Sequence, residues 1–153
     1  MSIEKMKVAV VGCGSISSVY LDSIRKHFSI LDVVACTDLD LARRDACAEK
    51  YGIRGLTFDE ILANPEIEMV INLTTPAAHY PITKQALLAG KHVFSEKMIA
   101  VTLEEGKELC ALADEKGLRL GVAPDTFLGG AIQTARYVME TGLIGEPLSF
   151  VAS

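Results

Sequence analysis

Lys7-Val8-Ala9-Val10-Val11-Gly12-Cys13-Gly14-Ser15-Ile16-Ser17 is the stretch that decides the fold of this chain. A short valine-rich apolar run ends on a glycine pair and passes directly into a helical pattern. This is the strand–turn–helix setting in which a glycine-rich turn meets the pyrophosphate of a dinucleotide. Gly12 permits the tight turn, and Gly14 lets the main chain approach the phosphates. The N–H groups at the start of the helix then face the negative charge. The candidate phosphate segment is therefore Gly12, Cys13, Gly14, Ser15 and Ile16, acting through its backbone. Ser17 occupies the place of the third glycine of the fingerprint, where a small residue still allows close packing of helix on strand.

Asp32-Val33-Val34-Ala35-Cys36-Thr37 reads as a second buried strand, and Asp38 follows it, 26 positions after Gly12. An acidic residue at this point accepts hydrogen bonds from the adenosine ribose hydroxyls and repels a 2′-phosphate, which favours NAD over NADP. Arg43 and Arg44 lie close by and are able to pair with such a phosphate, so NADP stays open. The alternative is that Asp38 or Asp40 caps the helix that begins near Leu41.

Composition bounds the remaining choices. The chain has 153 residues, 50% of them apolar and 23% charged, with a formal net charge of −5. That suits a globular domain with a core of its own and leaves no basic footprint for nucleic acid. No apolar run is long enough to span a bilayer, and no signal-peptide pattern is visible, so a cytoplasmic location is expected. Cys13, Cys36, Cys47 and Cys110 show no C-x-x-C spacing, which suits free thiols in a reducing compartment better than a disulfide framework or a zinc site. No metal site is expected. Cys36 and Cys110 are expected to be packing residues, and Cys13 is read as tolerated in the turn.

Strands and helices alternate along the chain. Helical patterns are expected at 15–28, 41–51, 58–63, 80–89, 102–116 and 131–141. Strands are expected near 53–57 and at 68–74, 91–95 and 118–122. Gly52, Gly90 and Gly117 supply helix stops, and Thr102 with Glu105 forms a capping box. Such repetition implies a parallel sheet with helices on both faces. The expected fold is thus α/β, a Rossmann-type doubly wound sheet. Residues 148–153 resemble the start of a further strand. An apolar strand at that position is expected to mean the front part of a longer protein.

Two more segments fall at strand exits, where ligands bind in such sheets. In Asn72-Leu73-Thr74-Thr75-Pro76-Ala77-Ala78-His79, the hydroxyls of Thr74 and Thr75 are placed to reach a ribose or phosphate, and His79 to face a cofactor. Equally, the threonines would cap the next helix and His79 would sit in its first turn. In Phe94-Ser95-Glu96-Lys97-Met98, a charged pair directly follows a buried strand. Lys97 there would hold a substrate hydroxyl and help its proton leave as hydride departs. The alternative is an exposed ion pair on a loop.

Taken together, the glycine turn, Asp38, the Thr74-Thr75-Pro76-x-x-His79 segment and Glu96-Lys97 resemble, in order and spacing, the glucose–fructose oxidoreductase / inositol dehydrogenase / rhizopine-catabolism (Gfo/Idh/MocA) family over essentially the whole chain. The resemblance implies an N-terminal Rossmann domain binding NAD or NADP, followed by an α+β domain with an open sheet that supplies most of the substrate pocket and the oligomer interface. It implies that Lys97 positions substrate and relays a proton. Glu96 and the segment Thr74, Thr75, Pro76 and His79 would contact the nicotinamide half. Met98 stands where the family's Glu-Lys-Pro has proline. Residues 122–130 lack an arginine that many members carry, and Pro124-Asp125-Thr126 is a candidate specificity segment. The catalytic histidine and aspartate that many members hold in the second domain are not in these residues.

The expected organisation is a dinucleotide-binding domain over 1–123, then a linker helix and the beginning of the truncated second domain over 124–153. The expected function is hydride transfer between nicotinamide and a secondary hydroxyl of a sugar, inositol or related polyol. The complete protein is expected to be a homo-oligomer with a small-molecule substrate and neither a nucleic-acid nor a membrane partner. These 153 residues alone are expected to be inactive. The rival readings are a non-catalytic NAD-binding or sensing module and an NAD-dependent glycosidase. A methyltransferase would leave Glu96-Lys97 unexplained.

Overall fold

The computed structural model describes residues 4–123, 126–149 and 151. Two compact units are present, residues 1–123 and 124–153. In the first, β1 (Met6–Val11), α1 (Ser15–His27), β2 (Leu31–Thr37), α2 (Leu41–Tyr51), β3 (Arg54–Gly55) and α3 (Phe58–Ala63) are followed by β4 (Met69–Asn72), α4 (Pro76–Leu88), β5 (His92–Ser95), α5 (Leu103–Glu115) and β6 (Leu120–Val122). The six strands form one sheet in the order β3-β2-β1-β4-β5-β6, and every pairing is parallel. The chain leaves β1 to one side and returns through β4 on the other. A switch point therefore lies at the carboxyl ends of β1 and β4, where such sheets open a crevice.

Side-chain alternation along β1 explains the two layers. Val8 and Val10 join Leu21, Ile24, Cys47 and Tyr51 of α1 and α2 on one face. Ala9 and Val11 join Ile61, Ala86, Leu87 and Leu109 of α3, α4 and α5 on the other. Both faces are thus covered, as a sheet of continuous apolar strands requires.

Local chemistry sets the helix ends. Asp40 caps α2, accepting from the N–H groups of Ala42 and Arg43, and Gly52 closes it in the left-handed conformation. The Thr102–Glu105 capping box starts α5 as expected, and an unanticipated one, Thr57–Glu60, starts α3.

Several boundaries differ from the sequence reading. The strand expected at 53–57 contracts to Arg54–Gly55, and β4 stops at Asn72 instead of running to Thr74. Helix α4 begins at Pro76, one full turn before the expected Tyr80. Proline lacks the N–H that a first helical residue leaves unpaired, so Pro76 starts this helix. Cys110 is exposed on α5 and is not a packing residue, whereas Cys36 is buried as expected.

The second unit contains a short 3-10 turn, Thr126–Leu128, and α6 (Gly130–Glu140). Leu148, Ser149 and Val151 are not in a strand. The rest of the expected terminal strand, and Pro124 and Asp125 of the candidate specificity segment, lie outside the described residues. No helix among the described residues is long and apolar enough to cross a membrane.

Candidate functional site

The glycine turn is built against the exit of β4. Gly12 has φ +99°, and a Cβ added there would lie 2.7 Å from the carbonyl oxygen of Leu73. Only glycine fits both the angle and the space. Its N–H donates to the Thr37 carbonyl at 2.9 Å, which ties the turn to β2. Gly14 is different. It is the extended N-cap of α1, and a Cβ there would meet nothing within 4 Å. Helix α1 then begins with no acidic residue in its first turn and no side chain capping it. This leaves a positive helix end beside open space, suited to an anion. Ser17 is buried and its hydroxyl donates to the Gly14 carbonyl at 2.6 Å, so it packs as the missing glycine would and pins the turn.

Asp38 closes the other side of the turn. Its Oδ2 accepts the Cys13 N–H at 2.7 Å and its Oδ1 accepts the Asp40 N–H at 2.9 Å. Because Asp40 is the cap of α2, Asp38 is released from capping and remains in the groove. The Cys13 N–H, expected to face a ligand, is spent on Asp38. Ser15 is exposed at the first position of α1.

A groove of about 480 Å³ runs along this edge of the sheet, lined by Gly12, Gly14, Asp38, Thr74 and Thr75 over an apolar floor that includes Val11, Leu73 and Ile82. Arg43 and Arg44 also line it, but each has a carboxylate partner. Arg43 lies 3.3 Å from Asp40 and Arg44 2.7 Å from Asp45. A second hollow of about 320 Å³ gathers Ile16, Thr74, Pro76, His79, Glu96 and Lys97. The fold thus brings the residues of the three separate sequence segments to one edge.

Their hydrogen bonds are organised by residues the sequence reading passed over. Asn72, fully buried at the end of β4, donates from Nδ2 to the His79 carbonyl at 3.1 Å and to Thr83 Oγ1 at 3.2 Å. Its Oδ1 accepts the Thr74 hydroxyl at 2.6 Å. The imidazole of His79 is 1% exposed, with Nδ1 2.6 Å from the Met98 carbonyl oxygen and Nε2 3.0 Å from that of Thr74. His79 therefore sits between the two loops that carry Thr74 and Lys97, and the single N–H of a neutral ring donates to one of these two carbonyls. Tyr20, on α1, donates its hydroxyl to Glu96 Oε1 at 2.7 Å, and the other Glu96 oxygen accepts the Lys97 N–H at 2.9 Å. Glu96 is thus held by Tyr20 and by the main chain. Lys97 is exposed, and its peptide bond to Met98 is cis. A polar asparagine inside the buried run Val70–Leu73 was the available signal for Asn72. Tyr20 carried none, because its partner lies 76 positions away.

Cys13, Cys36 and Cys47, scattered in sequence, converge beneath the turn. Their Sγ atoms all lie within 4.8 Å of one another. Burial pushes the Cys47 thiol up to about 11, and hydrogen bonding with Cys36 together with burial holds Cys13 far above the ordinary thiol range. Both are protonated at neutral pH.

An uncapped helix start beside an open glycine, a carboxylate facing the same groove and a second hollow that shares Thr74 with it fit an elongated ligand with a central diphosphate. Residues 6–123 match the model of the oxidoreductase family with an NAD-binding Rossmann fold. An uncharacterized oxidoreductase of Schizosaccharomyces pombe is 33% identical over 152 residues, covering 95% of this chain and 40% of the relative. The inositol 2-dehydrogenase/D-chiro-inositol 3-dehydrogenase of Lacticaseibacillus casei is 27% identical, covering 97% and 44%. The WlbA dehydrogenase of Chromobacterium violaceum, solved with NADH and UDP-GlcNAcA, superposes with a TM-score of 0.86 at 27% identity, covering 93% of this chain and 41% of that one. The chain spans about 40% of the length of the first of these relatives. By the family match, this chain belongs to the Gfo/Idh/MocA oxidoreductase family, and residues 6–123 form its NAD-binding Rossmann domain.

Proposed function

We propose that the complete protein transfers hydride between NAD and a secondary hydroxyl of a sugar, inositol or related polyol. The observation that carries this reading is the open face of Gly14 at the uncapped start of α1, beside the Asp38 carboxylate. In this reading Gly12, Gly14, Ser15 and Ile16 receive the pyrophosphate, with Cys13 anchoring the turn to Asp38. Asp38 accepts from the adenosine ribose and disfavours a 2′-phosphate. The paired state of Arg43 and Arg44 supports NAD over NADP.

When bound, the cofactor supplies the hydride-accepting ring. The chain's own residues orient substrate and cofactor. Thr74, Thr75 and Pro76 form the wall of the nicotinamide half, and His79 fixes that wall to the loop of Lys97. Lys97 extends from the second hollow, holds the substrate hydroxyl and relays its proton. Glu96, fixed by Tyr20, sets the direction from which Lys97 departs. Residues 1–123 act as the dinucleotide domain, and 124–153 lead into a substrate domain. The whole protein is read as a cytoplasmic homo-oligomer.

The test is Lys97→Ala in the complete protein. Turnover of polyol substrates falling about a hundredfold or more with NAD affinity retained supports the reading. Unchanged turnover overturns the role of Lys97. Saturable NAD binding without turnover of any sugar, inositol or polyol overturns the reaction and leaves a sensing module. Glycoside hydrolysis without net NADH release would mark a glycosidase instead.

A further inference from the structure

We infer that Cys13, Cys36 and Cys47 form a binding site for a thiophilic d10 divalent cation, of which Zn(II) is the cellular representative, and that its occupancy opposes dinucleotide binding at the turn above it.

The site is assembled by the fold. Cys13 comes from the turn after β1, Cys36 from the end of β2, and Cys47 from α2. The three sulfurs, all within 4.8 Å of one another, form a compact donor set, with no carboxylate or imidazole completing it among the described residues. Soft sulfur donors select soft or borderline metals. A tetrahedral zinc with bonds near 2.3 Å needs sulfurs about 3.8 Å apart, so side-chain rotations that close the set by roughly 1 Å suffice. Cys36 and Cys47 are buried, whereas Cys13 is half-buried. The side of the set at Cys13 is therefore where a water or other small ligand would complete the coordination, as in sites with three protein ligands.

The thiols make little use of their surroundings otherwise. The Cys13 thiol donates to the Thr37 carbonyl oxygen at 3.5 Å and the Cys36 thiol to that of Arg44 at 3.6 Å, both the weak bonds of an S–H donor. On metal entry three S–H bonds break, three metal–sulfur bonds form and three protons leave to solvent, with no change of oxidation state. The product carries one net negative charge.

That charge lies under the turn proposed to hold the pyrophosphate, and Cys13 is part of that turn. The coupling rests on the proposed cofactor site, whereas metal binding does not. Like charges placed together disfavour one another, and such coupling is reciprocal.

The experiment uses the reduced chain carrying Cys110→Ser, so that only the three cluster thiols remain. It is titrated with Cd(II) and Zn(II), and the sulfurs around bound Cd(II) are counted by X-ray absorption. The expected result is one ion per chain with three sulfur neighbours, and an affinity at least tenfold weaker in Cys47→Ala and in Cys36→Ala. NADH titrated with and without Zn(II) is expected to show a dissociation constant raised about fivefold or more by the metal. Fewer than three sulfurs, no binding, or binding unchanged by either variant in a folded chain overturns the metal site. The sulfur count needs no variant and decides the matter even if both fail to fold. Three sulfurs with unaltered NADH affinity keep the site and overturn the coupling. Absence of NADH binding without metal is a failure of the proposed cofactor site alone.

Discussion

The backbone N–H of Cys13 donates to Asp38 Oδ2 at 2.7 Å, so the carboxylate at the end of β2 holds the turn that follows β1. Its other oxygen accepts the Asp40 N–H, which orients the group within the groove. Asp38 thus lines the groove and anchors the turn at once.

The two duties are separable. Asp38→Asn keeps an acceptor for the Cys13 N–H and loses the charge. It is expected to bind NADPH more tightly than the parent chain and to narrow the preference for NADH, and to melt slightly earlier because its amide NH2 then faces the Asp40 N–H in place of an acceptor. Asp38→Ala loses both duties. A hydrogen bond to a charged group is worth about 1.5–3 kcal/mol, so NADH affinity should fall roughly tenfold or more and the chain should melt earlier. Calorimetric titration with both cofactors, beside a thermal melt, checks both variants.

Gly12 and Gly14 should separate folding from binding in the same way. Gly12→Ala places a Cβ 2.7 Å from the Leu73 carbonyl oxygen at φ +99°, and is expected to destabilise the chain by about 2–4 kcal/mol. Gly14→Ala meets nothing within 4 Å and has φ −74°, so urea unfolding should shift by less than about 0.5 kcal/mol. Its methyl group would point into space the phosphates are proposed to use, and NADH binding should be lost. A stable Gly14→Ala chain that binds NADH normally would remove Gly14 from the site.

Much of this arrangement was legible in the sequence, because it rests on local rules. The apolar run before Gly12, the cap at Asp40 with the stop at Gly52, and the box at Thr102 and Glu105 each act within a few residues. The strand exits holding Thr74 and Lys97 were legible for the same reason. The contacts of Tyr20 with Glu96, of His79 with Met98, and among the three thiols were not. Each joins residues whose closeness exists only after the sheet has formed. The start of α4 was misplaced because proline ends a strand and begins a helix with equal ease.

Asn72→Ala tests one of the unread contacts. It leaves the Thr74 hydroxyl and the His79 carbonyl without their buried partner. Unsatisfied buried groups cost about 1–3 kcal/mol each, so a loss of about 2–6 kcal/mol by urea unfolding is expected. Asn72→Ser should recover part of that loss.

Tyr20→Phe tests another. The ring contact with Phe94 is retained while the hydroxyl on Glu96 is removed. The stability change should stay near 1 kcal/mol. In the complete protein, turnover should fall with KM for NAD nearly unchanged, because Tyr20 acts through Glu96. A fall in NAD affinity of the same size as the fall in turnover would make Tyr20 a binding residue instead.

The Lys84–Glu108 pair between α4 and α5 carries a pH signature. The ammonium of Lys84, with help from Tyr80, holds the Glu108 carboxyl below its usual range, and Glu108 pushes Lys84 up. A lowered carboxyl contributes stability above its unfolded pKa and loses it as pH falls through the folded value. A raised lysine contributes below its unfolded pKa and loses it as pH rises through the folded one. Glu108→Gln should therefore lower the melting temperature at neutral pH and leave it nearly unchanged in strong acid. Both side chains are partly exposed, so the difference should shrink in high salt.

The seating of Gly12 against Leu73 also fixes an order of events during synthesis. The turn leaves the ribosome before β4, but its floor belongs to the exit of β4. Val8 pairs with Met69 and Val11 with Asn72, so the middle of the sheet stays open until that segment has emerged. Long-range parallel pairing of this kind forms late and slowly. A nascent chain halted between β3 and β4 would display the whole glycine motif tied on the β2 side by Thr37 and Asp38, with the Leu73 side of the turn still missing.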